Sequence, residues 1–546
     1  MASIWDYFTD TNEGEEDGKA SSFWEYFTSD KPPDAETVQS VQFSPCARFF
    51  NEEMVFWAMR NTPITEAVKH FLVCGAIGTG KTTTIDLFLQ SIRHRFRQDR
   101  ANPEQLIIFD AKCDIIPKLA TWGLALEEDN EKNNIWLINP YDKRSATWSI
   151  AEAVKSPLMA QHFAALLVPE ERQSTAPFFW TASRQLVYAA ILALNRIAGT
   201  GWDLRDLLCA LSSRERITAI TAIHPRAKEL AAAVLSDKQH SSGVVSTLAT
   251  KLGHLEQVAA LWHTAPKRKS FSISKFLERP GVLILGNDPV LRESLWPINT
   301  MILKSLSKQI LRGPEVRLPK HWFVLDEFPA MEQVESIHEL VNRGRSKGAS
   351  VLLGIQGLDR LTQLYAETGA NDLLEQCSSK TFFRAGGPKT AEWIERFFGK
   401  YRRTESVHSE SWSSTGRTAS VQYQTVERSV FLASFFMDLP FTGPGCPFVA
   451  VSDIPWLGRT LITRRFFDEV DSWRMKPQPG DKEIDTLQPR DDEADQTLEP
   501  WDSTETARFC PTKPRKKKSG GSKPKQESEQ KPEPPLTSRK ERWRST

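Results

Sequence analysis

Eight consecutive residues, Gly75-Ala76-Ile77-Gly78-Thr79-Gly80-Lys81-Thr82, satisfy the pattern GxxxxGK[ST]. Glycines let backbone N–H groups turn inward around phosphates, and a helix starting at Lys81 would direct its positive end at the same anion. In this reading Gly75, Gly78, Thr79 and Gly80 form the cradle and Lys81 reaches the β- and γ-phosphates. Thr82 ligates Mg²⁺ and Thr83 contacts the α-phosphate, so ATP and Mg²⁺ are the expected cofactors. A phosphate loop that hydrolyses its nucleotide needs acids on a second strand. His321-Trp322-Phe323-Val324-Leu325-Asp326-Glu327 supplies them about 245 residues later, with Asp326 holding Mg²⁺ through water and Glu327 polarising the attacking water. The bland alternative is an acid pair opening a helix at Pro329.

Two further residues complete the candidate set. Gln356 ends the apolar run SVLLGIQ. In a parallel sheet it would emerge on the same edge as Gly75 and Asp326, to sense the γ-phosphate or the water or simply to sit there as a solvated amide. Arg343 and Arg345 lie at the end of a helix-period segment from Pro329 to Lys347. They complement a helix dipole, or Arg345 reaches the γ-phosphate of a neighbouring subunit as a finger.

These residues need a scaffold that brings strand ends together. HFLVCG, QLIIFD, IWLIN, GVLILG, HWFVLD and SVLLGIQ are continuous apolar runs separated by helical patterns, which predicts an α/β fold with a mostly parallel sheet covered on both faces. From about 149 to 275 the strands stop and helical periodicity takes over, so an all-α subdomain is expected as an insert in a body spanning 41–475. Its longest apolar run, Leu186 to Leu194, has about half the roughly 18 residues a membrane span requires, and reads as a buried helix of a soluble chain.

The chain has 546 residues with 70 Lys+Arg against 69 Asp+Glu, so polyanion binding has no global charge signature and must be local. That balance hides two opposed ends. Residues 1–40 carry ten acids and two bases, and residues 511–546 carry twelve bases and four acids. Together with the acidic stretch from 476, both ends are too poor in apolar surface to fold and are expected to be disordered. Trp5-Asp6-Tyr7-Phe8-Thr9 recurs as Trp24-Glu25-Tyr26-Phe27-Thr28, a duplicated W-[DE]-Y-F-T motif that suits either bivalent docking on a partner or packing on the chain's own body. The run Lys513, Arg515, Lys516, Lys517 and Lys518 is the best non-specific polyanion or acidic-lipid site. Seven scattered cysteines with no ligand spacing argue for a reducing compartment and against zinc.

The ordered set GAIGTGKT, IIFDAKCD, INPYDKRSATW, PFFWTASRQLVYAAIL, VLDEFPAMEQVESIHELVNRGRSKGASVLLGIQ and LYAETGANDLLEQCSSKTFFRAGGPKTAEW resembles the type IV coupling proteins of bacterial conjugation, of the TraD/TraG type. The resemblance runs through most of 42–460. It implies a RecA-like hexameric motor that takes relaxase-bound single-stranded DNA and drives it into a type IV secretion channel with ATP. By position it puts Lys81 and Thr82 on the phosphate and Mg²⁺ residues, Asp326 and Glu327 on the acid pair, Gln356 on the third motif and Arg345 on the finger. The departures are an acidic tail where members usually carry two membrane-spanning helices, and Asp110-Ala111-Lys112-Cys113 where many read Asp-x-Lys-Gly. The expected location is cytoplasmic, at the inner face of the cell membrane only through a partner. The duplicated aromatic motif is the candidate link to a membrane adaptor or to the relaxosome. The alternatives are a cytosolic FtsK/HerA-like DNA-remodelling or defence ATPase, and a nucleotide-gated adaptor. Glu327 and Arg345 speak against the adaptor, since a switch has little use for a hydrolytic base and a finger.

Overall fold

The structure is a computed structural model that describes residues 54–510, apart from 100–101, 127–129, 170–176, 266–269, 288–291, 414–415, 458, 478–482 and 491–496. The duplicated aromatic motif and the basic run from 513 lie outside the described residues.

Nine strands make one sheet: β1 Phe71–Cys74, β2 Gln105–Asp110, β3 Ile135–Ile138, β4 Gly281–Gly286, β5 Val316–Leu325, β6 Lys347–Ile355, β7 Ser379–Phe382, β8 Pro447–Ile454 and β9 Arg459–Phe466. Their order across it is β9-β8-β7-β1-β6-β5-β2-β4-β3. The first seven run parallel, and β8 and β9 are added antiparallel at one edge. The six strands read from the sequence are β1 to β6. The other three were not anticipated. β7 is SKTF, whose buried Ser379, Lys380 and Thr381 break the apolar signature, and β9 sits at an edge where Arg464 and Arg465 reach solvent.

Both faces of the sheet are covered. Leu72 and Cys74 of β1 face one core while Phe71 and Val73 face the other, the period-2 alternation of a doubly buried strand. On the second face Trp57, Phe71, Phe88 and Trp322 interlock with ring centroids 4.8–6.0 Å apart, fixing helix α1 (Lys81–Ile92) against the sheet. His70, at the root of β1, accepts from Val351 N–H through Nδ1 and bonds Val341 C=O through Nε2. Burial pushes its pKa down to about 4, so the neutral ring is a structural tie between β6 and the helix before it.

Between β3 and β4 the chain is helical. Helix α2 (Pro177–Ala198) is the spine of this unit, and Leu186, Val187, Ala190, Ile191 and Leu194 are fully buried in it. No described helix is long and apolar enough to cross a membrane. The unit's neck is a parallel pair, Thr147–Trp148 with Ser270–Phe271. Residues 400–429 form a long antiparallel hairpin, Lys400–Ser413 with Gly416–Ser429. Its Arg402 and Arg428 pair across the strands with Glu427 and Glu405, as a solvated ribbon should.

One expectation is corrected. The stretch from 476 was read as a disordered linker, yet 483–490 and 497–510 are docked. Gln488 N–H donates to Asp142 and Arg490 reaches Leu261 C=O. Trp501 is buried with its Nε1–H on Asp206, stacked 4.9 Å from Phe509 of helix α3 (Ser503–Phe509). Arg205, 4% exposed, donates to both Glu505 carboxylate oxygens and to two backbone carbonyls. A few aromatic anchors and one bidentate pair are enough to order a segment whose composition reads as unstructured. Those hydrogen bonds from Arg205 hold the Glu505 pKa down at about 2 against an ordinary 4.5. A carboxylate with a depressed folded-state pKa stabilises above its unfolded pKa and loses that as pH falls through the folded one. The stability lost in Glu505→Gln is therefore expected in full above pH 4.5 and to shrink towards zero as pH approaches 2, read from urea titrations of both proteins.

Candidate functional site

The three strand ends that carry the sequence motifs are adjacent. β1 pairs with β6 and β6 with β5, with Cys74 opposite Ile355 and Leu325 opposite Leu353. The phosphate loop, Gln356 and the Asp326–Glu327 pair consequently leave the sheet side by side at its C-terminal edge, where open α/β sheets bind ligands.

Gly80 precedes α1 at φ +111°, and a Cβ there would strike Phe448 at 2.7 Å and Phe383 at 2.9 Å. These two rings, perpendicular at 5.3 Å, buttress the loop from β8 and the end of β7. Thr79 is buried and donates to Ala76 C=O. Lys81, 5% exposed, curls over the loop and donates to Gly75 and Ala76 carbonyls at 2.6 and 2.8 Å. Burial holds its pKa below the ordinary lysine value, with Asp326 opposing the shift. Thr82 keeps its hydroxyl at the surface of the cleft while Thr83 is buried.

Opposite the loop, Gln356 Nε2–H donates to Glu327 Oε1 at 2.6 Å. Glu327 itself stands at φ +57°, a strained region for a non-glycine residue and one that active sites store. The following chain makes a 3-10 turn, Phe328–Met331, and the regular helix begins only at Glu335, later than the periodicity from Pro329 suggests. Gly354 lets the backbones close up, because a Cβ there would sit 2.9 Å from Asp326 Oδ1.

Sequence reasoning gave Lys112 no role, and the structure puts it in the middle. Its Nζ donates to Thr82 Oγ1 and to Asp326 Oδ2, both at 3.0 Å, and lies 4.0 Å from Glu327. Burial alone would lower its pKa, but Asp326 and Glu327 outweigh that and hold it above the ordinary value. The signal was the acid–x–lysine at the end of β2, but only the topology shows that β2 lies beside β5. Asp110 starts the same turn, accepting from the N–H groups of Asp114 and Ile115. Burial raises its pKa to about 6. Cys113 takes the turn's left-handed position at φ +56°, which costs an L-residue roughly 1–2 kcal/mol. Cys113→Gly is expected to raise the unfolding free energy by about 1 kcal/mol, measured by chemical denaturation.

A divalent cation fits here. Asp326 Oδ1 is buried with no hydrogen-bond partner, and Thr82 Oγ1 and Asp326 Oδ2 already share one cation, the Lys112 ammonium. Arg345 is not brought to this site. It is exposed in the turn before β6, at the opposite end from Gln356 of a nine-residue strand about 30 Å long at 3.3 Å per residue.

The match to known proteins follows this geometry. The family described as the type IV secretion-system coupling protein DNA-binding domain matches residues 59–455. The chain belongs to that coupling-protein family. Coupling protein TraD of Escherichia coli (strain K12) is 21% identical over 341 residues, which is 61% of this chain and 44% of TraD; the chain thus spans less than half the length of that relative. Among solved structures, the unbound monoclinic form of the conjugative coupling protein TrwBdeltaN70 superposes with a TM-score of 0.57 at 21% identity, covering 81% of this chain and 93% of that one. TrwB in complex with ADP and Mg²⁺ gives 0.55 at 20% identity, covering 79% and 91%. These likenesses show a shared TrwB-like fold, mostly parallel in its sheet.

Proposed function

We propose that this coupling protein is a Mg²⁺-dependent ATPase that translocates single-stranded DNA for conjugative export, with 41–475 as a RecA-like motor carrying the helical unit at about 149–275 as its insert. The observation that carries this reading is the Gln356–Glu327 hydrogen bond beside the phosphate loop. A binding-only site has no need of an oriented carboxylate at that point. In this reading Gly75, Gly78, Thr79 and Gly80 cradle the phosphates, Lys81 turns from its loop carbonyls to the β- and γ-phosphates, and Thr83 sits under the α-phosphate. Thr82 and Asp326 hold Mg²⁺, which when bound neutralises charge on the β- and γ-oxygens. Gln356 fixes one Glu327 oxygen, leaving the other to take a proton from water as that water's oxygen bonds the γ-phosphorus and the bond to the ADP oxygen breaks. TrwB, of the same fold, has been solved with ADP and Mg²⁺, which supports the nucleotide assignment.

Arg345 cannot serve its own subunit from the far end of β6, which favours a ring, a homo-hexamer in this family, where it meets the neighbour's nucleotide as a finger. The partners of this reading are a relaxase or relaxosome with its single-stranded DNA and a type IV secretion channel. The duplicated motif at Trp5/Tyr7/Phe8 and Trp24/Tyr26/Phe27 links the cytoplasmic protein to a membrane adaptor. Steady-state ATP turnover with and without single-stranded DNA tests it. Stimulation by DNA that disappears in Lys81→Ala supports the motor, whereas turnover indifferent to DNA sinks it.

A further inference from the structure

At the neck of the helical unit, away from the nucleotide site, lies a cavity of about 360 Å³ walled by Trp148, Ser149, Lys155, Ser305, Lys308 and Arg312, among others. Lys308 and Arg312 are one turn apart on helix Arg292–Arg312, about 6 Å along its axis. Lys155 faces them from the helical unit, and Lys304 extends the row by another turn. None of these four cations forms an ion pair with an acid among the described residues. The one acid on the wall, Glu152, accepts instead from Ser274. Beyond the wall, burial lowers the His162 pKa, Lys304 and Lys308 add to that, and Glu335 and Glu339 oppose it. Burial holds the Lys308 pKa below its ordinary value, and Arg312 and Lys304 add to the shift. Like charges gathered around one hollow repel; the helix dipole accounts for a cation at Arg312, but not for Lys155 brought to the same hollow from the other wall. Ser305 adds an independent sign: it is 5% exposed and its hydroxyl has no hydrogen-bond partner, a donor waiting on the wall of the hollow.

We propose that this cavity is a phosphate-binding station for single-stranded DNA, with Lys308, Arg312 and Lys155 neutralising successive backbone phosphates and Ser305 donating to one of them. This rests on the DNA-motor reading above. The hollow is concave, a better match to a threaded strand than to a flat bilayer face. Cations about 6 Å apart along one helix suit the succession of charges on a single strand's backbone. Because the walls come from both the helical unit and the motor, a bound strand would touch both at once.

The test is fluorescence anisotropy of an oligo-dT probe on the full chain over a salt series, comparing wild type with Lys155→Gln/Lys308→Gln/Arg312→Gln. Each lost phosphate contact lowers the slope of log affinity against log salt by about 0.7 for single strands. The triple variant should flatten it by about 2, and Lys308→Arg should keep the wild-type slope. Unstimulated ATP turnover should not change, which shows that the variant is folded. An unchanged slope in the triple variant overturns the station while leaving the motor standing. Absence of any oligo-dT binding by wild type overturns both. Loss of binding to anionic phospholipid vesicles with oligo-dT binding intact also overturns it, assigning the cavity to a lipid headgroup.

Discussion

Glu327→Gln is expected to lower steady-state ATP turnover by roughly two to four orders of magnitude, the range that a positioned general base contributes, while ATP affinity holds. The substitution keeps volume and the capacity to accept from Gln356 Nε2–H, so the 2.6 Å contact survives and the left-handed backbone at Glu327 is no worse for glutamine than for glutamate. What is lost is the ability to take the water's proton. Equilibrium binding of a fluorescent ATP analogue, run beside a turnover assay, separates the two effects. A parallel loss of binding would mean that Glu327 organises the cleft rather than the chemistry. Gln356→Ala should share the phenotype more weakly, since it removes the orientation of the base but not the base. Both outcomes belong to the kcat side of the kinetics, as expected of interactions made only in the transition state.

Arg345→Ala is expected to have an effect of comparable size, about three to five orders of magnitude for a guanidinium that meets transition-state charge, but of a different kind. Because Arg345 stands at the opposite end of β6 from the site, a finger role could be played only on a neighbouring subunit, so in the proposed ring inactivity should be complementable. Arg345→Ala and Glu327→Gln proteins, each inactive alone, should regain part of the turnover when mixed. At some interfaces an intact Arg345 then meets an intact Glu327. Equal inactivity before and after mixing, in proteins shown to co-assemble, would return Arg345 to the bland role of neutralising the end of its helix. That pair of experiments tests the ring without imaging it.

Much of this site was legible in the sequence, for physical reasons that can be named. Glycines and a lysine at fixed spacing between an apolar strand and a helix carry their chemistry locally, and so does an acid pair closing the strand HWFVL. Gln356 could be placed because a parallel sheet puts like ends on like edges. Lys112 could not be placed, since its role depends on β2 lying beside β5, a fact of strand order on which local pattern is silent. Phe383 and Phe448 escaped notice for the same reason, reaching the phosphate loop from β7's end and from an antiparallel strand. β7 was hidden by its buried Ser379, Lys380 and Thr381, which find partners only in the folded sheet. Lys380 donates to Cys377 C=O and Thr381 bonds Ser452. Composition misled most at 483–510. Averages over a polar stretch conceal that Trp501, Phe509 and Glu505 are enough to hold 497–510, and Gln488 and Arg490 to dock 483–490.

That last segment alters how the helical unit can move. The chain enters and leaves the unit at Trp148 and Phe271, which lie side by side, and the unit's helices share one hydrophobic core with a face of the sheet. Gln488 N–H on Asp142 beside the neck, and Arg490 on Leu261 and Trp501 Nε1–H on Asp206 within the unit, add polar ties from the C-terminal segment. In the motor proposed above, such ties would let a movement at the nucleotide edge reach the helical unit as a push on a braced body.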